Sequence, residues 1–168
     1  MSELRIVDAM AEGRATDAAA IVFEYVAMTW EEAGLPRPVD VDDLPGTLAV
    51  ECRTLPTYYA APGAILLALG GFGADEQLAG CVGLAPLDGA TIELKRLYVR
   101  APHRRRGFAS TLMRTAHAHA REHGFTRTVL TVMPTRGGAI AFYEGLGYVP
   151  IAPAYEQPYD VRWFGYEL

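Results

Sequence analysis

The sequence predicts an α/β fold of the α+β type, and two stretches carry that expectation. Residues 91–133 read as strand, helix and strand within about 43 residues, and a crossover of that kind joins parallel strands in the right-handed sense. Residues 64–69 (AILLAL) and 77–85 (QLAGCVGLA) read as the two arms of a hairpin, turned by the glycine cluster GGFGADE. With no repeat, linker or low-complexity run, the 168 residues are read as one domain, 1–168, large enough for a hydrophobic core.

Residues 3–9 (ELRIVDA) suit a short opening strand. Thr16 or Asp17 is placed to cap a helix running to about Ala33, with Ala20, Ile21, Phe23, Val26 and Ala27 toward the core. GLPRP (34–38) ends it, and residues 43–60 carry a weaker second helical pattern. In TIELKRLYV (91–99), Ile92 and Leu94 alternate, but the next apolar pair, Leu97 and Val99, is out of phase by one. Either a β-bulge near Lys95–Arg96 restores the phase, or the strand is central and buried on both faces. A bulge has chemical weight because it leaves backbone groups free to meet a ligand. A helix follows from about Gly107 to His123, with Phe108, Leu112, Met113, Ala116 and Ala120 on one side and Gly124 as its stop. Residues 127–133 (RTVLTVM) form the next strand.

The net charge of −5 is unevenly spread: residues 1–92 carry −10 and residues 93–168 carry +5, with ten cations against one acid, Glu122, between Lys95 and Arg136. Either a localised anionic ligand sits on the second half, or scattered surface arginines merely look concentrated along the chain. The run HRRRGFAS (103–110) joins the end of a strand to the start of a helix, the usual ligand edge of an α/β sheet. A helix start offers unpaired N–H groups and partial positive charge, and Gly107 lets a ligand approach the backbone closely. Phosphate is the expected anion. A Walker-type lysine loop is absent from the sequence, which argues against nucleotide hydrolysis.

These residues also carry a family resemblance. Arg104-Arg105-Arg106-Gly107-Phe108-Ala109 is similar to the coenzyme-binding pattern of the GNAT superfamily of acetyl-CoA-dependent N-acetyltransferases: Gln or Arg, any two residues, Gly, any residue, then Gly or Ala. AIAFYEGLGY (139–148) resembles that family's A-x-x-x-Y-x-x-x-G-aromatic segment, about 30 residues further on. The resemblance covers residues 91–150, and the tail YDVRWFGYEL suits a final strand. It implies a mixed, mostly antiparallel sheet flanked by helices, whose parallel fourth and fifth strands splay into a V holding pantetheine. Acetyl-CoA is then the co-substrate, with its pyrophosphate on Arg104, Arg105, Arg106, Gly107, Phe108, Ala109 and Ser110. Leu97, Tyr98 and Val99 line the cofactor, the backbone of Leu97 and Val99 meeting the acetyl carbonyl and pantetheine amides.

The resemblance assigns Tyr143 as general acid to the departing sulfur. Glu93, before the bulge, is the candidate base acting through water, or else an ion-pair partner of Lys95 and Arg96. Family members often carry an asparagine where this chain has Arg136, which is left to contact the coenzyme's phosphates or solvent; Gly137 and Gly138 weaken the helix start there. The implied partner is a small-molecule or peptide amine, with a homodimer possible in such a family. Trp30, Tyr58 and Tyr59, with Glu31, Glu32, Asp40, Asp42 and Asp43, suggest an acidic aromatic wall suited to a cationic amine.

Other functions fit the residues less well. HAREH (119–123) matches an inverted zinc-protease pattern, but no third ligand follows at a convincing spacing, so no metal is expected. A pI near 5.3 and no helix-turn-helix pair argue against nucleic acid. No apolar run is long enough to span a bilayer, and Cys52 and Cys81 lack metal spacing, so a cytoplasmic protein with reduced thiols is expected. A catalytically silent acyl-CoA sensor with the same fold is the second functional reading.

Overall fold

The computed structural model describes residues 4–71 and 73–168. Glu3, in the expected first strand, and Phe72, in the glycine cluster, lie outside the described residues. The elements are β1 (Leu4–Asp8), α1 (Ala15–Glu32), α2 (Gly46–Arg53), α3 (Leu55–Tyr58), β2 (Ala64–Gly70), β3 (Gln77–Pro86), β4 (Thr91–Val99), α4 (Phe108–Glu122), β5 (Arg127–Val132), α5 (Gly137–Gly145), β6 (Val149–Pro150) and β7 (Arg162–Glu167). They build one sheet in the order β1-β2-β3-β4-β5-β7-β6, antiparallel throughout except for β4 beside β5.

The sheet divides two cores. Leu66, Ile92, Leu94, Leu112, Met113 and Phe164 fill the one under α4 and α5; Ile21, Val22, Leu55, Ile65, Leu67 and Leu69 fill the one under α1–α3. β2 serves both, Leu66 and Ala68 on one side and Ile65, Leu67 and Leu69 on the other. That is why AILLALG is a continuous apolar run rather than an alternating one. Cys52 and Cys81 are free and buried, and burial pushes their thiols up to about 11 and about 12 respectively.

Three local expectations are corrected. The N-cap of α1 is Arg14, so Thr16 and Asp17 lie in the first turn; Arg14 ties that end down by pairing with Asp17 and Glu76. Ala20 is exposed and Ala18 and Val22 are buried in its stead, because positions 18, 22 and 26 stack on one face at helical spacing. The 43–60 pattern splits at Thr54 into α2 and α3, since Pro56 has no N–H to continue the α2 ladder.

β4 carries the expected bulge and is also central in the sheet. Cys81 faces Tyr98 and Gly83 faces Lys95, so Arg96 and Leu97 together oppose Val82. Arg96 takes a left-handed φ of 59°, a conformation that favours glycine. The extra residue resets the side-chain phase. Ile92, Leu94, Leu97 and Val99 all join the α4 core, while Arg96 and Tyr98 reach back to Glu51 and Glu24 on the α1–α3 side.

Candidate active site

β4 and β5 pair only from Thr91–Glu93 to Arg127–Val129. Beyond that register both strands line a cavity of about 940 Å³, Leu94 to Leu97 on one wall and Leu130 to Met133 on the other. The sheet is therefore parted between its two parallel strands. Arg100 N–H donates to the Ala79 carbonyl at 2.8 Å, so antiparallel alternation puts Tyr98 in the bonded pair with Cys81 and turns the Val99 N–H and C=O away from β3. The Val99 carbonyl also accepts from Arg104 Nε at 2.9 Å.

The arginine loop stands just beyond this strand end. Arg104, Arg105 and Arg106 are exposed, Arg105 takes φ 57° and Gly107 φ 82°, and α4 starts at Phe108 without a side-chain cap. Ala109 and Ser110 lie half-buried in the first turn, and the Phe108 ring is buried beneath Arg106 and beside His103. His103 anchors the loop from below: burial, then the charges of Arg106 and Arg100, lowers its affinity for a proton, and its Nδ1 has no hydrogen-bond partner. No local sequence pattern signals that role.

Glu93 and Tyr143 both line the cavity. Glu93 is 5% exposed, and both its carboxylate oxygens accept from the Tyr155 hydroxyl, at 3.0 and 2.9 Å. Gln157 Nε2 donates to the Tyr155 oxygen at 3.1 Å, and Trp163 packs edge-on against the ring. Burial, then the neighbouring Glu93 charge, raises the Tyr155 phenol above its usual range. Tyr143 is half-buried; burial, then Tyr25 and Tyr148, raises its phenol too, so it stays protonated at neutral pH. Lys95 Nζ lies 3.9 Å from Glu93 and donates to Tyr58 at 3.2 Å. Arg96 turns instead to Glu51, with two bonds of 2.9 and 2.6 Å. Tyr59 donates to the same carboxylate at 2.6 Å. Burial opposes charge on Glu51, but the Arg96 bonds outweigh it and hold the carboxyl below its ordinary range.

Three sequence expectations change. Tyr98 stands outside the cleft: its hydroxyl donates to Glu24 at 2.9 Å and its main chain pairs with Cys81. Arg136 meets neither solvent alone nor the loop; it reaches α1, donating to Tyr25 at 3.2 Å and to Thr29 and Glu32. The acidic wall disperses. Trp30 and Tyr58 line the cavity, but Glu31 pairs with Arg37, Asp42 with Arg53 and Glu32 with Arg136, while Asp40 and Asp43 cap a short turn. On α4, His119 and His123 stack at 4.0 Å and spend ring nitrogens on the Pro62 and His119 carbonyls. Among the described residues no group of three or more His, Cys, Asp or Glu is arranged to hold a metal. No helix among them is long and apolar enough to cross a membrane.

A mixed sheet parted between its parallel strands, with a bulge on one lip and a glycine-led helix at the end, is a single-sheet α/β architecture with a cleft at its parallel pair. The chain belongs to the acetyltransferase (GNAT) family, whose model matches residues 39–148. It is 34% identical over 79 residues to human N-acetyltransferase 8, a match covering 44% of this chain and 35% of that protein. Rat N-acetyltransferase 8F1 is 39% identical over 57 residues, covering 34% of this chain and 26% of its own. The chain thus matches about a third of these relatives' length or less. A GNAT-family acetyltransferase from Staphylococcus aureus superposes with a TM-score of 0.75 at 16% identity, covering 98% of this chain and 99% of that one. A Bacillus subtilis acetyltransferase in complex with CoA superposes with a TM-score of 0.54 at 17% identity, over 68% and 82% of the two chains.

Proposed function

We propose that the chain transfers an acetyl group from acetyl-CoA to a primary amine by direct attack within a ternary complex. One observation carries this reading: the parting of β4 from β5 begins beside Glu93, passes the bulge and ends at the uncapped start of α4. Along the chain this order runs from a carboxylate, past main-chain donors at the bulge, to a helix start suited to an anion.

The residues fit the coenzyme along this path. The loop from Arg104 to Ser110 receives the pyrophosphate on its N–H groups, with Arg104 and Arg105 adding exposed charge. Val99 offers main-chain groups to the pantetheine amides, and an N–H at the Leu97 bulge polarises the acetyl carbonyl. Acetyl-CoA supplies the thioester and its thiol leaving group. Glu93 accepts a proton from the acceptor ammonium, freeing the nitrogen lone pair. The new N–C bond then forms as the C–S bond breaks, and one nitrogen proton ends on sulfur. Tyr143 has no hydrogen-bond partner among the described residues and faces the cavity, so its O–H is available to the departing sulfur. A phenol raised above its usual value of about 10 is a weak proton source for a thiolate near 8.5. Its contribution is therefore a hydrogen bond to the developing charge rather than complete transfer.

Calorimetry with CoA, beside thiol release from acetyl-CoA across an amine panel, tests the reading. Binding with amine-dependent release is the expected result. Binding without release from any amine would leave the silent sensor, and no binding would end both.

A further inference from the structure

We infer that the acceptor is an α-amino acid, or a derivative with a free α-carboxylate, which Lys95 holds while Glu93 faces the ammonium group. This rests on the acetyl-transfer reading and on Glu93 as the base.

Among the described residues six charged side chains line the cavity: Glu51, Glu93, Lys95, Arg96, Arg136 and Glu156. Glu51 and Arg96 neutralise each other at 2.6 Å, Arg136 is matched by Glu32, and Glu156 sits exposed at the rim. What remains is Glu93 and Lys95, on the same face of β4. Glu93 already receives Tyr155 on both oxygens. Lys95 lies beyond hydrogen-bond reach of it at 3.9 Å. The ammonium has three donors and gives one to Tyr58, whose ring stands 5.6 Å away. Its remaining donors meet no partner among the described residues, although its side chain is only 15% exposed. Glu93 is its counter-ion at 3.9 Å, too far apart for a hydrogen bond, so the pair leaves room for a zwitterion to bridge the two groups.

The spacing selects the anion's place in the acceptor. Bonds of about 1.5 Å through one shared carbon hold an α-ammonium nitrogen and an α-carboxylate oxygen about 3 Å apart. That approaches the 3.9 Å between Glu93 Oε2 and Lys95 Nζ. A diamine would set a second cation against Lys95. Trp30, Leu35, Leu48 and Tyr159 leave an apolar wall for the side chain.

The experiment measures kcat/KM by thiol release for matched pairs: phenylalanine with phenethylamine, leucine with isoamylamine. The wild-type enzyme is expected to prefer the carboxylated member by about tenfold or more. Lys95→Met should bring that ratio toward one, and Lys95→Arg should keep part of it. Decarboxylated amines turning over as well as, or better than, their partners would overturn the acceptor assignment alone. So would an unchanged ratio in Lys95→Met. Silence from both series despite CoA binding would overturn the transfer reading with it.

Discussion

Ile92, Leu94, Leu97 and Val99 face α4 and pack into an apolar core. On the opposite face the same strand presents Glu93, Lys95, Arg96 and Tyr98, tied respectively to Tyr155, Tyr58, Glu51 and Glu24. Each of those partners is at least 37 positions away in sequence. The side proposed to take the coenzyme is thus written in one stretch of chain from 91 to 110 and held by burial. The side proposed to take the acceptor is assembled from distant segments and held by charge. The first should tolerate loss of charge; the second should not.

The sharpest way to break that contrast is to remove one charge from the acceptor side. Arg96→Met strands the Glu51 carboxylate and is expected to cost about 3–5 kcal/mol in urea unfolding. The double variant Glu51→Leu/Arg96→Met should recover most of it. If Arg96→Met alone is neutral, the acceptor side is not held by charge.

The α4 side has its own polar exception. His117, 9% exposed, bonds Tyr148 at 2.7 Å, and Tyr148 bonds Thr128 at 2.8 Å. Burial, then the Arg121 charge, lowers the imidazole to about 4. The unfolded chain therefore takes up this proton first. The contribution is present above the ordinary value of about 6.5 and is lost as pH falls from there toward 4, by about 3 kcal/mol. Unfolding free energies across that window should show the slope, and His117→Gln should flatten it.

Activity separates the two sides further. Tyr143→Phe, which removes the hydrogen bond to the developing charge, should lower kcat by about 10²-fold with CoA affinity unchanged. Tyr155→Phe frees the Glu93 carboxylate and should lower acceptor kcat/KM about tenfold with little effect on the KM for acetyl-CoA. Restoration of activity by neither Gln nor His at 155 would accord with a need for the phenol's double contact. Smallest are the exposed loop charges. Arg104→Ala or Arg105→Ala should weaken CoA about two- to fivefold, more at low salt than at high.

The donor half was legible because its signals are local. The phase slip at Leu97, the glycine at 107 and the amphipathic stripe from Phe108 to Ala120 are all patterns within a few turns of chain. Gly107 and Arg105 reveal in the structure why the loop tolerates no regular helix before Phe108: both take positive φ. The acceptor half was not legible, for equally physical reasons. Tyr155 reaches Glu93 across 62 positions from a loop with no periodicity, and Arg136 reaches Tyr25 across 111. The acids at 31, 32, 40, 42 and 43 suggest a pocket wall in sequence, but these carboxylates pair with arginines and turn N–H groups instead.

The surplus residue in β4 has one more consequence. Deleting Arg96 would give TIELKLYV, an uninterrupted alternation that still sends Ile92, Leu94, Leu97 and Val99 to one face. Combined with Glu51→Leu, to leave no orphaned acid, the shortened strand should zip fully against β3 and lose its left-handed kink. On the proposed reaction such a chain is expected to be a better sheet and a poorer catalyst, one residue's irregularity setting the main chain free to meet a ligand.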